Sequence, residues 1–257
     1  MNFKNQTILV TASAKRLGRY IAIDLIKDGW DIALHYNNSK VEAEETAKEI
    51  VKQGGRVSLH QANLTKVEQV EKLINDVKKL KSMWVGLINN AGLFKKDNGN
   101  DFNLIDLNNH MSVNFTAPAL LTQALAGFVT KNKKHDINLQ GIVINILDAK
   151  LFGLNPDYYS YTLSKQAMYG LTTMSALSYA SSIRVNGIAP GITLPAPGQN
   201  QSLFEESHKK NLLKSSSTVE EITKGIKFLL DTKSITGQVT VLDGGAHLAP
   251  PRRDVGL

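Results

Sequence analysis

With 257 residues, 42% of them hydrophobic and 21% charged, the chain has the size and composition of one large α/β domain. It contains no cysteine, which excludes disulfides, thiolate metal sites and thiol nucleophiles. No apolar run reaches the roughly 18 residues of a membrane span. Met1-Asn2-Phe3-Lys4 runs straight into a strand-like segment rather than a leader peptide, so a cytoplasmic protein off the membrane is expected.

The net charge of +7 raises nucleic acid as a partner. The lysines are scattered along apparent helices, however, and the densest group, Lys131, Lys133 and Lys134, sits in a short polar connector. Solvated helix faces account for the charge, so no nucleic acid is expected; the charge would also draw in a phosphorylated cofactor or an anionic substrate. The six histidines show no paired ligand spacing, so no metal site is expected and surface or loop positions suffice for them.

Short β-rich apolar runs alternate with longer amphipathic stretches. The runs cover residues 7–10, 32–34, 57–59, 85–88, 142–144, 183–185 and 239–241. Their unbroken apolar character suits strands buried on both faces. Residues 41–52 and 67–80 carry apolar side chains at three- and four-residue spacing, as core-facing helices do. Strands separated by helices in this way predict a single-domain, Rossmann-like, doubly wound seven-stranded parallel sheet with helices on both faces. Residues 191–217, with Pro195, Pro197 and Gly198, read as an irregular substrate lid. The domain is drawn over 1–248, with 249–257 as a tail across a surface.

After the first strand comes Thr11-Ala12-Ser13-Ala14-Lys15-Arg16-Leu17-Gly18, then a helix. Small residues let a backbone approach a pyrophosphate, and the helix N-terminus offers free N–H groups. An ordinary strand-to-helix turn would read the same way. The first βα turn of a parallel sheet is nevertheless where dinucleotides bind, which singles out Thr11, Lys15, Arg16 and Leu17. At the end of the second strand, His35-Tyr36-Asn37-Asn38-Ser39 offers no carboxylate to hold an unphosphorylated ribose. A 2′-phosphate could accept hydrogen bonds there while Arg16 supplies charge, which favours NADPH; Ser39 could equally be a plain helix N-cap.

Tyr161 and Lys165 stand four residues apart in a helical stretch at about 158–179, on one helix face. A nearby ammonium would lower the phenol's pKa and let it exchange protons near neutrality. Tyr158, Tyr159 and Tyr169 have no lysine four residues on. Such a pair alone is common on exposed helices; following the fifth strand of a dinucleotide fold, it points to catalysis.

With these residues in place, nearly the whole chain resembles the short-chain dehydrogenase/reductase family. Asn89-Asn90-Ala91-Gly92 is similar to the family's motif after strand four, implying that Asn90, Ala91 and Gly92 line the cofactor site. Asn114 matches the family's helical asparagine, implied to hold a water that relays protons through the lysine. Pro190-Gly191 with Thr193 matches the segment around the nicotinamide, and Asp243-Gly244-Gly245 the end of the last strand. The resemblance also implies that Asn63 and Leu64 flank the adenine.

Asp148 stands thirteen residues before Tyr161, where most members carry serine. A serine hydroxyl can donate to a ketone oxygen as charge develops; an ionised aspartate would oppose that charge and suits a ring nitrogen better. Asp148–Tyr161–Lys165 resembles the pteridine reductases, as do Ala14-Lys15-Arg16-Leu17-Gly18 and Leu34-His35-Tyr36 with Ser39. Phe94 matches the aromatic that sandwiches a pterin against the nicotinamide, and Arg16 could serve both cofactor and pterin. The implied reaction is NADPH-dependent reduction of a dihydropterin or dihydrofolate, with Tyr161 as proton donor. The alternatives are a carbonyl reductase, such as one acting on 3-oxoacyl thioesters, and a non-catalytic cofactor-binding protein.

Three departures bear on this: Ala12 replaces a glycine, Asn63 an aspartate whose acceptor oxygen an amide can still supply, and Gly92 a frequent serine. The family further implies a homotetramer, with one interface from helices around 101–132 and 157–181. Arg252 or Arg253 could complete a partner's pocket, or the tail could simply be exposed and basic.

Overall fold

In the computed structural model, residues 3–195 and 200–254 are described, Leu203 by its backbone only. Seven strands among them form one parallel sheet. They are β1 (Gln6–Val10), β2 (Asp31–Tyr36), β3 (Val57–Gln61), β4 (Met83–Asn89), β5 (Gly141–Ile146), β6 (Ile183–Pro190) and β7 (Val239–Leu242). Their order is β3-β2-β1-β4-β5-β6-β7, so every apolar run expected to be a strand is one. The central strands bury Ile8, Leu9, Val10, Leu87, Ile88, Val143 and Ile144 completely, which is why they read as continuous apolar runs rather than alternating ones.

The connections are α1 (Arg16–Leu25), α2 (Lys40–Lys52), α3 (Val67–Lys78), α4 (Leu104–Met111), α5 (Ala117–Asn132), α6 (Tyr159–Ser178), α7 (Gln201–His208) and α8 (Val219–Asp231). α1 packs with α2 and α8, while α3 packs with α5 and α5 with α6, giving a helical layer on each face. Thr218 and Glu221 form a reciprocal capping box that starts α8. Among the described residues no helix is long and apolar enough to cross a membrane.

Strand order reverses between β1 and β4, leaving a crevice above their carboxyl ends, and ligands of such sheets bind there. Thr11 and Asn90 lie just past those ends, and Asp148 just past the end of the neighbouring β5.

Two expectations are revised. The 191–217 region is not irregular throughout, since it contains α7. The histidines are not all at the surface: His35, His60 and His110 are buried, because each lies on a strand or helix whose side chain faces inward.

Candidate active site

The first turn is built by side chains that bond to its backbone. Thr11 Oγ1 accepts from the N–H groups of both Asn90 and Ala91 at 2.9 Å. Asn90 Nδ2 returns bonds to the carbonyls of Thr11 and Ala12 at 2.9 and 3.2 Å. Gly18 packs so closely that a Cβ there would strike the Ala12 carbonyl and stand 2.6 Å from Asn90 Nδ2. The turn is therefore fixed to the end of β4 by the Asn-Asn-Ala motif.

His35 was expected to touch a ribose phosphate; it lies inside the turn instead, 2% exposed. Its Nδ1 accepts from the Ala12 N–H at 3.0 Å, and its Nε2 meets the Ala62 carbonyl at 3.0 Å. Only the neutral Nε2–H tautomer satisfies both contacts. Burial accordingly pushes its pKa down to about 4. Tyr36 is buried as well, while Asn37 and Asn38 are exposed at the strand's end. Ser39 precedes α2 but makes no side-chain capping bond. Lys15 faces Glu42 at 3.4 Å, Leu17 is half-buried, and the Arg16 guanidinium donates to the Pro195 carbonyl at 2.8 Å.

The catalytic candidates do converge. The Tyr161 hydroxyl donates to Asp148 Oδ2 at 2.6 Å, while Asp148 Oδ1 accepts from the Lys150 N–H at 2.8 Å, which fixes the carboxylate. Lys165 is buried, donates to the Ile146 carbonyl at 2.7 Å, and holds its ammonium 5.8 Å from the Tyr161 ring centre. Burial lowers the Lys165 pKa to about 8, opposed by Asp148. The Tyr161 phenol moves the other way from the sequence expectation. Burial and the adjacent Asp148 carboxylate raise its pKa well above the usual value. The phenol is thus kept protonated, as a proton donor must be.

Asn114 lies in a π-helical turn, Ser112–Thr116, of the kind that collects at functional sites. Its amide accepts from the Leu93 N–H at 2.8 Å and donates to the Leu93 carbonyl and to Ser164 Oγ at 3.0 and 2.9 Å. A Cβ added at Gly92 would meet nothing nearer than Asn114 Oδ1 and Lys165 Nζ, each 3.9 Å away, so Gly92 borders an open cleft beside the lysine. Pro190 leads into Gly191, where a Cβ would stand 2.7 Å from Ser216 Oγ and 2.9 Å from Asp243 Cα. Thr193 Oγ1 bonds to the Gly191 carbonyl and to Ser217 Oγ at 3.0 and 2.8 Å.

Phe94 is half exposed. Its ring stacks on Tyr158 at 4.1 Å and meets Tyr161 edge-on at 4.7 Å, so an aromatic surface adjoins the proton donor.

A family model described as enoyl-(acyl carrier protein) reductase matches residues 11–247. The chain belongs to the short-chain dehydrogenase/reductase family. It is therefore an oxidoreductase of that family. The structure of FolM alternative dihydrofolate reductase 1 from Brucella canis, complexed with NADP, matches with a TM-score of 0.90 at 33% identity, covering 99% of this chain and 98% of that one. Pteridine reductase 1 of Leishmania tarentolae is 29% identical over 93% of this chain and 96% of its own. The 3-oxoacyl-[acyl-carrier-protein] reductase FabG of Staphylococcus epidermidis is 28% identical over 95% of this chain and 100% of its own.

Set against the family, the departures acquire physical content. Ala12, in place of glycine, adopts φ 51°, a left-handed conformation that costs a residue with a Cβ about 1–2 kcal/mol. The Asn63 oxygen expected to accept from adenine already accepts from the Thr65 N–H and hydroxyl at 3.0 and 2.9 Å; its amide donors remain. Leu64 beside it is buried.

Several residues around the short-chain dehydrogenase/reductase centre escaped the sequence reading. His110 is fully buried; its Nδ1 meets Ser160 Oγ at 2.7 Å and its Nε2 accepts from the Lys95 N–H at 3.2 Å. Ser160 in turn bonds to Asp97. This chain pins the segment that carries Phe94 to the start of α6. The available signal was spacing: His110 lies four residues before Asn114, on the same helix face. Tyr158 was expected to open α6; it caps the helix instead with φ 53°, a strained value for an aromatic residue.

Proposed function

We propose that the protein reduces a dihydropteridine-type ring, dihydropterin or dihydrofolate, with NADPH as hydride donor. The observation that carries the reading is the 2.6 Å bond between the Tyr161 hydroxyl and the Asp148 carboxylate. A ketone substrate needs a second hydroxyl donor at that place, whereas a ring nitrogen tolerates a carboxylate and can exchange a proton with it.

The residues present suit NADPH. The turn is open and rich in small residues, the crevice borders Gly92 and Lys165, and the second strand ends in exposed Asn37 and Asn38 with no carboxylate to repel a 2′-phosphate. Arg16, with Lys15 beside it, would supply positive charge; Thr11, Asn90 and Ala91 would hold the turn, and Pro190, Gly191 and Thr193 would border the far end. When bound, NADPH supplies the hydride. Phe94 offers a flat face to a heteroaromatic ring and orients it. Tyr161, held protonated, gives its proton to the ring nitrogen as charge develops there. Lys165 stabilises the phenolate so formed, and Asp148 is placed to relay a proton taken up from solvent back to it. Asn114, bonded to Ser164 on α6, keeps that helix in register with the Phe94 segment.

NADP in the Brucella canis structure and the pteridine reductase relative support this reading. Exposed Leu104 and Ile105 on α4, and Met174 and Leu177 on α6, fit a homo-oligomer, in keeping with the tetramer usual in the family. The test follows NADPH oxidation with dihydrobiopterin, dihydromonapterin, dihydrofolate and an acetoacetyl thioester. Turnover of a pteridine supports the proposal; turnover of the thioester alone would assign a carbonyl reductase. Arg16→Ala is expected to raise the KM for NADPH about tenfold and to leave that for NADH nearly unchanged, because it removes a charge-assisted contact to phosphate. Equal losses with both cofactors would remove Arg16 from phosphate recognition.

A further inference from the structure

The segment between Asp148 and α6 has little regular structure of its own beyond a short 3-10 turn, Ala149–Phe152. It nevertheless ends at Tyr158, whose strained backbone must be held by neighbours and whose ring backs Phe94. The chain's last described residues supply that hold. Asp157 accepts from Arg253 Nε at 3.0 Å through both oxygens, from Arg253 Nη2 at 2.5 Å, and from the Asp254 N–H at 2.8 Å. Lys150 donates to Asp254 Oδ2 and Asn155 Oδ1, each at 2.6 Å, and Asn155 Nδ2 donates to Asp254 Oδ1 at 2.7 Å. The Lys150 ammonium also lies 5.5 Å from the Tyr158 ring centre. Pro250 packs against Gly153, where a Cβ would stand 2.6 Å from its own.

The two anchored side chains are largely buried, Asp157 at 8% and Lys150 at 9% exposure, while Arg253 is 70% exposed. A fork of guanidinium donors on a buried carboxylate fixes geometry as well as charge. Arg253 holds the Asp157 pKa at about 2, so the pair persists across physiological pH.

We propose that Arg253 and Asp254 are positioning residues: the tail folds back in cis and clasps residues 150–158, and so sets Tyr158 and the Phe94 face that receives the substrate. This gives Arg253 a role within its own chain, beside the trans role that the resemblance implies for Arg252 or Arg253. The proposal rests on the reading of Phe94 as the substrate platform.

The test compares wild type with Arg253→Gln, Asp157→Asn, the double variant, Arg253→Lys and a chain ended after Ala249. Steady-state kinetics with dihydropterin and amide hydrogen exchange are read together. The substrate KM is expected to rise about tenfold in either single variant with kcat within about twofold, the pattern of lost positioning rather than lost chemistry. The double variant should be no worse than the singles, since both remove one pair. Arg253→Lys should fall between, having charge without the fork. Exchange at residues 157–159 should quicken while the sheet amides stay unchanged. Unchanged KM in the shortened chain, or unchanged exchange at 157–159, would overturn the proposal. Mixing Arg253→Gln with Asp157→Asn chains separates the geometries: each chain has one defect, so a cis clasp stays broken, whereas recovered KM would mean a partner's arginine acts. If wild type turns over no pteridine, the functional reading fails and the exchange measurement still tests the clasp.

Discussion

Tyr161→Phe is expected to lower turnover of a dihydropteridine by on the order of 10³-fold while NADPH still binds, since a positioned proton donor contributes about 10²–10⁴. The substitution keeps the ring that meets Phe94 at 4.7 Å and removes only the hydroxyl that bonds to Asp148, so the fold should be unaffected. Asp148→Asn keeps an oxygen to accept from the Lys150 N–H and loses the ability to carry a proton; a drop on the order of 10²-fold is expected. Asp148→Ser restores the hydroxyl that ketone chemistry needs, and should cost pteridine turnover while raising turnover of a small ketone. Stopped-flow measurement of a single turnover isolates these effects from product release. A Tyr161→Phe enzyme within a few-fold of wild type would remove Tyr161 as the donor, whatever the substrate.

His35 makes the second large effect, on stability. The sign follows from the direction of its shift. Its pKa in the folded chain is about 4 against an ordinary 6.5, so the native state favours the neutral ring and the unfolded state takes up a proton first. Its contribution is complete above about pH 6.5 and is lost as pH falls towards 4; the full linkage amounts to about 3 kcal/mol. His60 and His110 are shifted down by burial as well and add in the same direction. His35→Ala also leaves the Ala12 N–H without its acceptor, so the variant should lose about 2–3 kcal/mol at pH 7. Thermal melts at pH 7 and pH 5 check both points: the midpoint falls by several degrees at pH 7, and the gap between the two pH values narrows in the variant. A gap as wide as in wild type would mean that His35 is not the titrating group.

Much of the fold was legible in order along the chain. The inner strands bury both faces, so residues such as Ile8 to Val10 and Val143 to Ile144 form unbroken apolar runs, whereas the edge strands β3 and β7 stay partly exposed; strand–helix alternation leaves a parallel sheet as the natural topology. Tyr161 and Lys165 were legible for a local reason, as one helix turn sets them on a common face. Asp148 was legible through its fixed distance from Tyr161, and the structure brings the two within hydrogen-bond reach.

What the sequence determined by itself was the order of strands and helices, and with it the placing of Asp148, Tyr161 and Lys165 just after β5, because these depend on short-range spacing. Tertiary structure alone decided how those residues behave. His35 stands in a polar-looking stretch, yet becomes a buried support of the first turn because β2 carries it beneath Ala12 and beside Ala62. The Tyr161 phenol is raised rather than lowered, since its pKa follows its burial and the approach of the Asp148 carboxylate, neither of which spacing encodes. Arg253, 96 residues from Asp157 along the chain, meets it because the chain after the last strand returns against Lys150, Gly153 and Asn155. Such contacts join groups distant in sequence, so only the packed chain reveals them.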